Sequence, residues 1–102
     1  MTYDSILDAL GDPTRRRIFE ALRAGPLAVS DLAQTQTVSR PAVSQHLKTL
    51  EAAGLVSVRT QGTRRVYAIR QEALLEMRSY LDGFWNEILA TYGAEIDRKF
   101  GN

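Results

Sequence analysis

The chain has 102 residues, 44% of them hydrophobic, enough for one compact domain of a size that buries a limited share of its surface, so that a second chain is a natural way to complete the core. It has no cysteine, which removes disulfides, thiolate metal sites and cysteine nucleophiles on chemical grounds, and no apolar run or basic leader of the kind that marks a membrane span or signal peptide, so a cytoplasmic protein is expected. The net charge of +1 hides a division: Ser39 to Arg70 holds six bases (Arg40, Lys48, Arg59, Arg64, Arg65, Arg70) against Glu51, giving +5, while Gln71 to Asn102 carries −3 and Met1 to Val38 carries −1, a pattern that points to one face for a polyanion.

Taken in chain order, Tyr3 to Leu10 places Ile6, Leu7 and Leu10 at helical spacing before Gly11, a first helix too short to stand alone. In GDPTRRRIFEALRAGP, Asp12 is a good N-cap, Pro13 suits the first helical position, Ile18, Phe19 and Leu22 form the apolar stripe, and Gly25-Pro26 stops the helix. Ser30 is a candidate cap for a helix of about two turns over DLAQTQ, and Ser39 caps another after a turn of about three residues. In that helix Val43, Leu47 and Leu50 share one face, Pro41, Ser44, Gln45 and Lys48 fall on the other, and Gly54 ends it with Leu55 free to pack back.

LVSVRTQGTRRVYAIR then changes period and reads as two antiparallel strands about a Gln61-Gly62-Thr63 turn ringed by Arg59, Arg64 and Arg65. From Gln71 the pattern is helical again, with a broad apolar face of Leu74, Met77, Leu81, Phe84, Trp85, Ile88, Leu89 and Tyr92; Gly93 ends or bends it, and AEIDRKF continues it weakly. The expected fold is mainly α (α+β), in the order α-α-α-α-β-β-α, as a single domain.

Two short helices about a tight turn, the second with small polar side chains facing out, are the parts of a helix-turn-helix whose second helix fits the DNA major groove. Side-chain chemistry assigns bidentate base contacts to Arg40 (guanine) and Gln45 (adenine), and a base or phosphate contact to Ser44. Lys48 and Thr49 are placed for phosphate, and Ser39 either for DNA or for its own helix's N–H groups. Against this stands the reading of a merely solvated helix face, which explains neither the preceding helix nor the following basic hairpin. Those arginines, with Thr63, either lie along phosphates as a wing or guard a strand edge.

His46, beside Leu47 and with no second histidine or cysteine in the chain, is expected to pack against the core, not to catalyse or bind metal. The apolar face of the last helix either covers the chain's own core or pairs with a second copy; its width, with Phe84 and Trp85 side by side, favours a homodimer to which the first helix contributes.

The stretches LDALGDPTRRRIFEALRAGPLAVSDLA, SRPAVSQHLKTLEAAGLV and RTQGTRRVYAI together resemble the ArsR/SmtB family of winged helix-turn-helix repressors over nearly the whole chain. The resemblance implies a homodimer on an imperfect inverted-repeat operator, a helix-turn-helix over about 30–53 and a wing over about 55–70. Its DNA contacts would come from Ser39, Arg40, Pro41, Ser44, Gln45, Lys48, Thr49, Arg59, Thr63, Arg64 and Arg65. A dimerisation helix over about 71–93 would meet its partner through Tyr3, Ile6, Leu7 and Leu10 of the first helix and Leu81, Phe84, Trp85, Ile88, Leu89 and Tyr92 of the last.

Many members sense metals or arsenicals through cysteines where this chain has Ala28 and Ser30, and others use histidine and acidic pairs in the last helix, which here has no histidine. Neither metal site is therefore expected, nor any cofactor; the signal, if there is one, is a small molecule or a protein. An enzyme would need converging catalytic groups that this chain does not supply. A winged helix that binds proteins instead of DNA is the main rival, because fold does not fix function.

Overall fold

A computed structural model describes the backbone of residues 3–100 and the side chains of residues 4–93. Among the described residues, five α-helices and a three-stranded sheet follow one another as α1 (Tyr3–Leu10), α2 (Pro13–Ala21), β1 (Leu27–Ala28), α3 (Val29–Gln34), α4 (Arg40–Ala52), β2 (Val56–Gln61), β3 (Arg64–Ile69) and α5 (Gln71–Phe100), with a 3₁₀ turn, Leu22–Ala24, after α2. The fold is mainly α with a small β wing, the winged helix-turn-helix topology.

Local chemistry accounts for most boundaries. Asp12 caps α2 by accepting from the N–H groups of Thr14 (2.8 Å) and Arg15 (3.0 Å), and Pro13 occupies the first turn. Two of the three arginines that follow close the α1–α2 corner: Arg15 Nε donates to the Ala9 carbonyl at 2.7 Å and Arg16 to that of Leu10 at 3.3 Å, while Arg17 donates to the Thr14 hydroxyl within α2 at 3.2 Å. Cationic donors thus meet carbonyls of α1's last turn, the end of a helix where positive charge is favoured. The α4 helix ends in a Schellman motif, in which the Leu55 N–H reaches the Leu50 carbonyl (3.0 Å), the Gly54 N–H reaches Glu51 (2.9 Å), and Gly54 takes φ 79°.

Four details depart from expectation. A strand, β1, precedes α3 and pairs antiparallel with β3, Leu27 opposite Tyr67 and Ala28 opposite Val66, so the sheet order is β1-β3-β2. Because the chain leaves that strand directly into α3, the N-cap is Ala28 and not Ser30, and no side chain caps this helix. The turn before α4 runs over five residues, 35–39, and is held by the Thr35 hydroxyl on the Leu32 carbonyl at 2.7 Å. Finally, α5 passes through Gly93 to Phe100 without a break, since a lone helical glycine weakens a helix without ending it.

The core lies where α1–α4 meet the sheet. Ile6, Ile18, Leu32, Val43, Leu47 and Leu50 are fully buried, with Leu55, Val56 and Tyr67 closing the sheet side. The α5 helix is moored to this body near its start, by the buried Ala73, the partly buried Met77 and packing against α1. Beyond that point its apolar side chains do not cover the chain's own core: Leu81, Phe84 and Trp85 keep 56%, 52% and 57% of their surface exposed. No helix among the described residues is long and apolar enough to cross a membrane.

Candidate nucleic-acid interface

The second helix of the helix-turn-helix, α4, turns two different surfaces to its surroundings. Val43, Leu47 and Leu50 are sunk in the core, while Arg40, Pro41, Gln45, Lys48 and Thr49 are exposed and Ser44 is half-buried. His46 is half-buried between the two. The Ser39 hydroxyl accepts from the Ala42 N–H at 3.3 Å, so it serves the helix, and the Thr49 hydroxyl donates back to the Gln45 carbonyl at 3.4 Å. Arg40 sits in the first turn of α4, the part of such a helix that meets base edges.

The hairpin is in register from Val56 opposite Ile69 to Gln61 opposite Arg64, which leaves a two-residue loop of Gly62 and Thr63. Gly62 has φ 64° and Thr63 has negative φ, the pattern of a type II′ turn, whose twist suits the strands and whose first central position favours glycine. Since β1 pairs only with Val66 and Tyr67, the tip from Thr60 to Arg65 projects beyond it as a wing.

Between wing and helix lies a cleft of 290 Å³, lined by Arg40 and Ser44 of α4, Thr63, Arg64 and Arg65 of the hairpin, and Ala28, Val29 and Ser30 of the β1–α3 junction. Three arginines from two separate elements thereby line one cleft together with Ser30, Ser44 and Thr63. Gln45, Lys48 and Thr49 lie outside that lining, farther along the exposed side of α4. Arg59 lines a second cleft, with Asp31, Gln61 and Arg64.

Charge pairing sorts the cations further. Arg70 is joined to Glu72 at 3.5 Å and Arg64 to Asp31 at 2.5 Å, whereas among the described residues Arg40, Lys48, Arg59 and Arg65 have no ion-pair partner. Asp31 is the charged neighbour of these cations that sequence reasoning missed: it lies 33 positions from Arg64, and no local pattern links them. The TRRR run of α2 is basic too, but its side chains are taken up with α1's carbonyls and Thr14.

Away from that cleft's lining, Leu7, Leu81, Phe84, Trp85, Leu89 and Tyr92 are exposed apolar side chains on α1 and α5, with Leu10 and Ile88 half-buried. Ile6 is wholly inside the chain's own core, so it supports this surface from behind, and the side chain of Tyr3 lies outside the described residues.

Known proteins agree with this architecture. Residues 12–58 match the family model for bacterial regulatory proteins of the arsR family. The HTH-type transcriptional regulator Rv2034 of Mycobacterium tuberculosis is 52% identical over 96 residues, covering 94% of this chain and 90% of its own length. A solved structure described as a possible transcriptional regulator for arsenical resistance superposes with a TM-score of 0.72 at 38% identity, over 87% of this chain and 93% of the other. The homodimeric winged helix-turn-helix DNA-binding domain Mb0332 of Mycobacterium bovis, a possible ArsR-family regulator, reaches a TM-score of 0.68 at 28% identity, over 85% and 81%. The chain belongs to the ArsR/SmtB family of winged helix-turn-helix transcriptional regulators, non-catalytic DNA-binding proteins, and is a member without the cysteines of the family's metal sites.

Proposed function

We propose that this regulator is a repressor that binds an imperfect inverted-repeat operator as a homodimer, working in the cytoplasm beside the chromosome. The observation that carries the reading is the cleft in which Arg40 and Ser44 of α4 meet Thr63, Arg64 and Arg65 of the wing. In the complex α4 enters the major groove, Arg40, Ser44 and Gln45 reach base edges, and Pro41 packs at the groove's rim. Lys48, Thr49, Arg59, Thr63, Arg64 and Arg65 hold phosphate, and Ser39 contributes through the helix end it caps. The helix-turn-helix, the wing and α5 act as one domain.

Dimerisation is supported by the uncovered apolar surface of α1 and α5, larger than scattered surface residues explain, and by the homodimeric state of the Mycobacterium bovis domain. Two copies joined through Leu7, Leu81, Phe84, Trp85, Ile88, Leu89 and Tyr92 fix two reading helices for two half-sites. With Ala28 and Ser30 at the family's cysteine positions, repression is either constitutive or relieved by a small molecule or a protein, and not by a thiolate-bound metal.

The test is fluorescence anisotropy of a labelled duplex from upstream of the protein's own gene against a scrambled duplex, across a salt series, with stoichiometry on the same samples. Tight binding that prefers the upstream duplex and weakens steeply with salt, at two chains per site, is the expected outcome. Equal binding to both duplexes would contradict an operator there, and no binding even at low salt would hand the wing to a protein partner.

A further inference from the structure

Asp31 belongs to the first turn of α3 and Arg64 opens β3 immediately after the wing turn, yet Arg64 Nη2 donates to Asp31 Oδ2 at 2.5 Å. The side chains keep 54% (Arg64) and 47% (Asp31) of their surface in solvent, a setting in which an ion pair adds little to the stability of a fold. Arg64 lines both clefts, one with Arg40, Ser44 and Arg65 and the other with Asp31 and Arg59. Its guanidinium therefore stands at the border between the cationic face and a carboxylate that already occupies it.

We infer that Asp31 is an internal counter-ion for the wing, which holds Arg64 in the free protein and gives it up to a DNA phosphate when the wing seats. The inference rests on the reading of this face as the DNA-binding face. A carboxylate and a phosphate present the same kind of acceptor to the planar donor fork of arginine, so they compete for it. Once displaced, Asp31 stays beside the phosphates as a like charge. Both effects lower affinity for every DNA sequence equally, so Asp31 tunes how firmly the protein holds DNA without touching a base. A strut that merely aims the wing has the opposite sign, because its loss weakens binding.

The measurement is a double-mutant cycle on the full chain: wild type, Asp31→Asn, Arg64→Gln and the double variant, titrated by anisotropy against a labelled mixed-sequence duplex over a sodium chloride series. Asp31→Asn is expected to bind about two- to fivefold tighter at low salt, the factor that corresponds to an exposed ion pair. Its slope of log affinity against log salt should steepen by up to about 0.9, the value for one net charge, because no freed carboxylate offsets the phosphate that Arg64 neutralises. In the Arg64→Gln background the same change should do nearly nothing.

Weaker or unchanged binding by Asp31→Asn would make Asp31 a strut or a bystander, and an equal gain in the Arg64→Gln background would make it a diffuse negative charge; either overturns the inference while leaving DNA binding intact. If the wild type bound no duplex at any salt, the DNA-binding reading would fall and take this one with it. Thermal melts of the four proteins separate these outcomes from misfolding, and Asp31→Ser serves as a second neutral variant.

Discussion

The α4 and α5 helices carry the same kind of message, an apolar stripe on one side and polar residues on the other, and meet opposite fates. In α4, Val43, Leu47 and Leu50 are fully buried by the chain's own helices and sheet, and the polar side is left for something outside. In α5 the apolar side is left uncovered, with Phe84 and Trp85 about half exposed. An apolar stripe states that a surface must be covered; what covers it depends on elements that are distant in sequence or belong to another molecule. One helix therefore presents a polar side fixed to a finished core, and the other an apolar side that its own chain leaves bare.

The sharpest way to break this contrast is to delete one buried side chain and load one exposed one. Leu47→Ala should cost about 2–5 kcal/mol of stability, since it leaves a cavity in the middle of the core. In a domain of this size that lowers the melting temperature by roughly 4–8 °C per kcal/mol, seen in thermal or urea melts followed by circular dichroism. A cost near zero would mean that the α4 stripe is not the keystone its burial implies.

Phe84→Glu should act differently. It should leave the helical content in place while converting dimer to monomer in sedimentation, and lower operator affinity by about a hundredfold or more through lost bivalency. The emission of Trp85, the sole tryptophan, should shift to the red in that variant as the residue loses its cover. An unchanged mass and an unchanged affinity would remove the α5 face as the interface.

The contrast also explains how much could be read from the chain. Asp12-Pro13, Ser39 and Gly54 act on backbone groups within a few positions of themselves, so the starts of α2 and α4 and the end of α4 follow from short words. Gly62 and its β-branched flanks mark the hairpin in the same way. The β1 strand has no such word: two residues become a strand only because Val66 and Tyr67, far along the chain, arrive beside them. Once that strand exists, Ala28 is where α3 must start, and the cap expected at Ser30 has no place.

The candidate site divides along the same line. Its cations are visible as a charge excess between Ser39 and Arg70, but the carboxylate of Asp31 that holds one of them belongs to another element and is disclosed only by the folded chain.

A smaller effect sharpens the functional half of the contrast. Arg40→Ala should cost about 1–3 kcal/mol on the preferred operator and relax the preference at a single base position, if Arg40 reads a base from α4. Arg65→Ala, on the wing, should weaken specific and random DNA alike and reduce the salt slope by about one. Competition titrations with single-base operator variants distinguish the two; equal losses on every sequence from both substitutions would take base reading away from Arg40.

The smallest effect tests the α2 cap, which backs α4 from the core side. Asp12 is held below its ordinary pKa of 3.8, first by the hydrogen bond from the Arg15 N–H, against an opposing push from partial burial, and then by the Thr14 N–H and the charges of Arg15 and His46. A lowered folded-state pKa places the contribution above the unfolded value, where it is complete, and removes it as pH falls through the folded value. Asp12→Asn keeps a side-chain oxygen for the cap and cannot titrate. The stability difference between wild type and this variant should be flat from neutral pH down to about pH 5 and then shift against the wild type in more acid solution, where Asp12 takes up its proton. Urea melts of the two proteins at matched pH isolate this one group from the other carboxylates, and parallel acid curves would show that the Asp12 cap holds α2 by geometry alone.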